Sequence, residues 1–97
     1  MREIVKGYEK EQMLDLYSAY KRSNNTDNLF CVYESFSDKM YEAFERCRKL
    51  MKQYEGKNGK VLWGNTYTFT FGFEGIYNGK EAYFHITAGQ DRVIILE

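Results

Sequence analysis

Ninety-seven residues can build one hydrophobic core and no more, so residues 1–97 are expected to form a single domain. Apolar side chains make up 43% of the chain and aromatic ones 18%, which supplies that core and excludes a disordered polar polymer. Fourteen basic residues offset fourteen acidic ones, which argues against binding polyanions, or mimicking them, through overall charge.

Met1–Lys6 lacks the apolar segment of an export signal and suits an edge strand. The pattern predicts a first helix over Glu9–Arg22, because Met13, Leu16, Tyr17 and Tyr20 recur at i, i+3, i+4 and i+7. Leu14 falls outside that stripe. Ser23–Asn28 is rich in side chains that bond to nearby backbone and is expected to be a loop. Leu29–Glu34 follows as a short strand whose place in the sheet the pattern does not set. Leu29–Tyr33, the longest apolar run, is far below the roughly 20 residues of a membrane span. The expectation is a cytoplasmic protein with no membrane partner.

The second helix has the strongest pattern. Ser37 is placed to cap it, with Phe36 before the cap and Tyr41 at the staple position. Phe36, Met40, Ala43, Phe44, Cys47, Leu50, Met51 and Tyr54 fall on one arc. Gly56 is expected to end it in a left-handed conformation. Glu42 with Arg46, and Glu45 with Lys49, are favourable i,i+4 pairs on the polar side. Cys31 and Cys47 are too few for a disulfide framework and are expected to be reduced core residues.

The last third predicts antiparallel strands. Asn78-Gly79 is the preferred two-residue hairpin turn, and pairing outward from it sets Phe73 opposite Phe84 and Phe71 opposite Ile86. Tyr67, Phe69, Phe71 and Phe73 then share one face with Ala82, Phe84 and Ile86. A second turn at Gly89-Gln90 would set Ile86 opposite Val93. Val61 and Trp63 are expected to continue the first strand backwards, with a bulge at Gly64-Asn65. The fold class expected is α+β, with both amphipathic helices on one face of a mainly antiparallel sheet. Its order is α-β-α-β-β-β, ending in a three-stranded meander.

This arrangement leaves the other face, with Tyr83, His85, Ile94 and Leu96, without cover. Either a helix crosses to it, or the last strand is buried on both sides, or it is an interface. The interface is the reading adopted, with Tyr83, His85, Ile94, Leu96, Tyr41 and Tyr77 as partner-binding residues. The partner would be another protein or a second copy of this chain.

Catalysis is not expected. His85 is the only histidine, no close-spaced metal pairs occur, and Gly56–Lys60 follows a helix rather than opening one. No cofactor is expected. The rival to protein binding is nucleic-acid binding. From Arg46 to Lys60, six basic residues stand against one acidic, which makes Arg46, Lys49, Lys52, Lys57 and Lys60 candidate phosphate contacts. The preferred expectation is a non-enzymatic protein-binding module. In size and style it suits an accessory or inhibitor protein of a phage or mobile element that occludes a macromolecular partner.

Overall fold

The computed structural model describes residues 2–23, 37–59, 61–65, 70–87 and 90–96. In chain order these form β1 (Arg2–Ile4), α1 (Gly7–Ser23), α2 (Asp38–Gln53), a 3-10 turn (Lys57–Gly59), β2 (Trp63–Asn65), β3 (Thr70–Tyr77), β4 (Lys80–Ile86) and β5 (Asp91–Ile95). The strands make one sheet in the order β1-β5-β4-β3-β2. β2 to β5 are antiparallel, and β1 joins the far edge parallel to β5. The class is α+β, as expected. The strand expected at 29–34 lies outside the described residues, as do Cys31, Lys60, Tyr67 and Phe69. Neither helix is long and apolar enough to cross a membrane.

β1 is the edge strand that Met1–Lys6 suits, and it adds a strand before α1 to the expected order. At the other end of the sheet the order differs. Trp63–Asn65 does not prolong β3 but doubles back against it, with Trp63 opposite Gly72 and Asn65 opposite Thr70. The meander therefore has four strands. Around Asn78-Gly79 the register is the expected one, with Phe73 opposite Phe84 and Phe71 opposite Ile86. Both turn residues have positive φ (52° and 79°), as the two-residue hairpin requires.

The second hairpin is shifted. Ile86 faces Asp91 and Phe84 faces Val93, two residues from the predicted pairing. The cause is Thr87, whose N–H donates to the Gln90 carbonyl at 2.9 Å while its Oγ1 accepts from Gln90 N–H at 3.0 Å. Those bonds pair Thr87 with Gln90 and move the turn one residue earlier. A slip of two keeps every side chain on its own face, so the inward set survives.

The largest departure concerns the helices, which pack on opposite faces of the sheet. α2 covers Phe71, Phe73, Ala82, Phe84, Ile86 and Val93 with Met40, Ala43, Cys47, Leu50 and Met51. α1 covers Trp63, Tyr83 and Ile94 with Met13, helped by Leu14, Tyr17 and Val5. On α1 the expected stripe is only partly right: Leu16 is 44% exposed, and Leu14 takes its place beside Met13 and Tyr17. This crossing is the physical answer to the uncovered face, since Tyr83 and Ile94 are too apolar to face water.

α2 begins as predicted, with Ser37 Oγ accepting from Met40 N–H at 3.3 Å. Its end differs. Glu55, not Gly56, takes the left-handed conformation (φ 52°), and Gly56 N–H closes onto the Met51 carbonyl at 2.7 Å. The Tyr54 carbonyl then accepts from Ile76 N–H at 2.7 Å, which ties the helix end to β3. Gly75 permits this approach, because a Cβ there would lie 2.4 Å from that oxygen. On the outer side, Glu45 pairs with Arg48 and Arg46 reaches Asp91, in place of the two pairs expected from spacing.

Candidate functional site

On the α1 face, strand alternation aligns Glu81, Tyr83 and His85 of β4 beside Gly72, Glu74 and Ile76 of β3 on one side and Arg92 and Ile94 of β5, with Leu96 just after it, on the other. β2 brings Trp63 over Gly72. Trp63 Nε1–H donates to the Tyr83 hydroxyl at 2.7 Å, and that hydroxyl lies 3.0 Å from His85 Nδ1. The Tyr83 hydroxyl thus accepts from Trp63 and shares a second hydrogen bond with His85 Nδ1, linking three rings of β2 and β4 in one chain. Gly72 makes room for this chain. A Cβ there would meet Trp63 Nε1 at 2.3 Å and the Tyr83 oxygen at 2.5 Å.

Burial, and then the Arg92 charge beside it, lower the His85 pKa to about 4, so the ring is neutral at physiological pH. Arg92 itself pairs with Glu9 of α1 and donates to Gln90 Oε1 at 2.8 Å. Toward the other end of the face, Tyr17 OH donates to Glu74 Oε2 at 3.0 Å, and Lys21 lies 3.8 Å from the same oxygen. The Tyr17 ring packs on Tyr83 at 5.1 Å between centroids.

This geometry corrects the expected partner-binding set. Tyr83 and Ile94 are fully buried under α1, so neither is available to a partner. His85 is half-buried and bonded to Tyr83, and Leu96 is half-buried at the border of the α1 cluster. Tyr41 and Tyr77 are also half-buried, but they pack against the α2 cluster, the latter 5.5 Å from the Tyr54 ring. The six residues thus divide between the two faces and make no single patch.

The basic candidates divide as well. Lys49, Lys52 and Lys57 are exposed. Arg46 instead donates to Asp91 Oδ2 at 3.0 Å, a carboxylate that is 4% exposed and whose Oδ1 has no hydrogen bond among the described residues. Cys47 lies on the α2 face, free and fully buried, with burial and the Asp91 charge pushing its thiol up to about 12. His85 projects from the opposite side of the sheet, so these two cannot act as a nucleophile and its base. Among the described residues, no group of three or more His, Cys, Asp or Glu is placed to hold a metal ion.

Beyond Tyr17 and Lys21, the α1 face ends in a cleft of about 220 Å³. Ile76 and Leu96 supply apolar walls, Gly75 and Ala82 also line it, and Glu55, Glu74, Glu81 and Lys57 complete the lining. Leu96 was legible in the sequence but the cleft was not, because it needs Glu55 and Lys57, just past α2, brought beside β3 and β4. Neither a protein-family model nor a curated protein sequence matches the chain, and no solved structure matches its fold.

Proposed function

We propose that this chain is a small non-enzymatic protein-binding module that acts by occupying a macromolecular partner. Accessory and inhibitor proteins of phages and mobile elements work in this way. The observation that supports the reading is the end of the α1 face, where Ile76 and Leu96 border an open cleft after α1 has covered Tyr83 and Ile94. An apolar-walled hollow with charged edges suits a protruding side chain of a folded partner. The surface proposed is therefore Leu96 with its neighbours on β3 and β4, and Tyr83 and Ile94 belong to the core beneath.

The nucleic-acid reading rests on Lys49, Lys52 and Lys57, which are exposed. One experiment separates the two. The protein is crosslinked in its host cells, the captured partner is purified, and binding is titrated beside a single-stranded oligonucleotide over a range of salt. Saturable one-to-one binding of a purified protein is the expected outcome. Tight oligonucleotide binding that falls steeply with salt and with Lys49→Glu or Lys52→Glu would replace it. Sedimentation of the chain alone decides whether the partner is a second copy.

A further inference from the structure

We infer that the cleft at the end of the α1 face receives the aliphatic cationic side chain, lysine or arginine, of a partner polypeptide. The inference rests on the protein-binding reading and gives it a chemistry. Three observations carry it: size, wall character and charge.

The volume, about 220 Å³, falls below the roughly 300–1,000 Å³ typical of sites for cofactors and drug-sized molecules. It suits one extended side chain. Ile76 and Leu96 stand on the same face of the sheet and offer apolar walls along which a methylene stem can lie. The polar lining is mostly acidic, with Glu74 in the sheet, Glu81 on β4 and Glu55 just past α2. A chain of methylenes that ends in a cation is the side-chain type that needs both surfaces at once.

The carboxylates are not equivalent. Glu74 is already engaged by Tyr17 OH and by Lys21, whose ammonium also feels Glu81. The exposed side chains of Glu55 and Glu81 make no hydrogen bond or ion pair among the described residues. Lys57 is the single cation in the lining. An incoming ammonium or guanidinium thus meets two carboxylates with no direct hydrogen bond or ion pair to break, Glu81 feeling Lys21 only at a distance. Three carboxylates outweigh Lys57 in the lining and Lys21 on Glu74, so the cleft is net negative and disfavours an anionic side chain, which sets the sign of the preference.

The test uses the full chain and a stated probe. Two-dimensional amide NMR follows a titration with n-butylammonium, with n-butanol as its neutral counterpart and butyrate as the anionic one. The expected result is saturable shifts confined to Glu55, Gly75, Ile76, Glu81, Ala82 and Leu96 with n-butylammonium. Half-saturation should move about fivefold higher in Glu81→Gln or Glu55→Gln, in line with an exposed ion pair. Both variants alter exposed side chains and leave the core untouched. Equal half-saturation for n-butanol and n-butylammonium overturns the inference, as do indifference to both variants or the absence of a saturable shift. A purified partner that binds equally well to the Glu55→Lys, Glu81→Lys double variant also overturns the cleft while it upholds protein binding.

Discussion

Beneath α2 the sheet presents Phe71, Phe73, Phe84, Ile86 and Val93, all fully buried, with Phe73 and Phe84 stacked at 4.6 Å. Beneath α1 it presents Tyr83 and Ile94, buried as completely, but their border is Trp63, His85, Glu74 and Arg92, whose polar atoms require partners. Apolar volume dominates the first face, where the polar exceptions are the Arg46–Asp91 pair and the Ile76–Tyr54 backbone bond. On the second, three apolar residues of α1 (Met13, Leu14 and Tyr17) do the covering, and hydrogen bonds fix the register. Ion pairs at exposed positions contribute up to about 1 kcal/mol each, so Glu9–Arg92 and Lys21–Glu74 orient α1 more than they hold it.

Truncation tests the contrast most severely. Phe84→Ala empties the centre of the α2 face, where its ring meets Phe73, Tyr54 and Tyr77. The expected loss is about 4 kcal/mol, read from the denaturant midpoint. Tyr83→Phe keeps the ring but takes from Trp63 and His85 the hydroxyl they share. A loss of about 2 kcal/mol at constant m-value is expected there. If Tyr83→Phe were neutral, the second face would be held by volume like the first.

Acid should separate the faces without any mutation. The His85 pKa is lowered to about 4 in the fold, against 6.5 for the unperturbed group, so between those values the unfolded chain binds the extra proton. Stability therefore falls as pH drops from 6.5 toward 4, and this group adds nothing further above 6.5. Between pH 7 and pH 5 the loss attributable to it is about 2 kcal/mol, and His85→Gln should flatten that part of the profile. An unchanged slope in His85→Gln would show that the imidazole is not the source. The smallest effect is a gain. Glu55 holds φ 52°, which costs a residue with a side chain about 1 kcal/mol, so Glu55→Gly should raise the unfolding free energy by up to that amount, read as a higher denaturant midpoint at constant m-value.

The same contrast explains what the amino-acid pattern revealed. α2 was legible because its apolar residues recur with helical period over four turns, and the β3–β4 hairpin because Asn78-Gly79 fixes a register that rows of phenylalanine confirm. α1 was legible as a helix but not as a cover for the second face, since its apolar stripe is short and Leu14 and Leu16 exchange roles. The shift at Thr87 hangs on a side-chain bond to backbone that periodicity does not report. Of the proposed site, Leu96 was visible as an apolar residue without a partner. The Trp63–Tyr83–His85 chain left one trace, Gly72 in the middle of a strand, where a missing side chain signals close approach.

The pairing of β1 with β5 joins residue 2 to residue 91. β1 therefore stays unpaired until β5, far along the chain, has taken its place beside β4. The α2 layer and the β3–β4 hairpin need only contacts closer in sequence and can form before then. Edge closure is thus the late event in folding, and the folding protein passes through a stage in which the backbone of β5 still offers its outer hydrogen-bonding groups to any neighbouring chain.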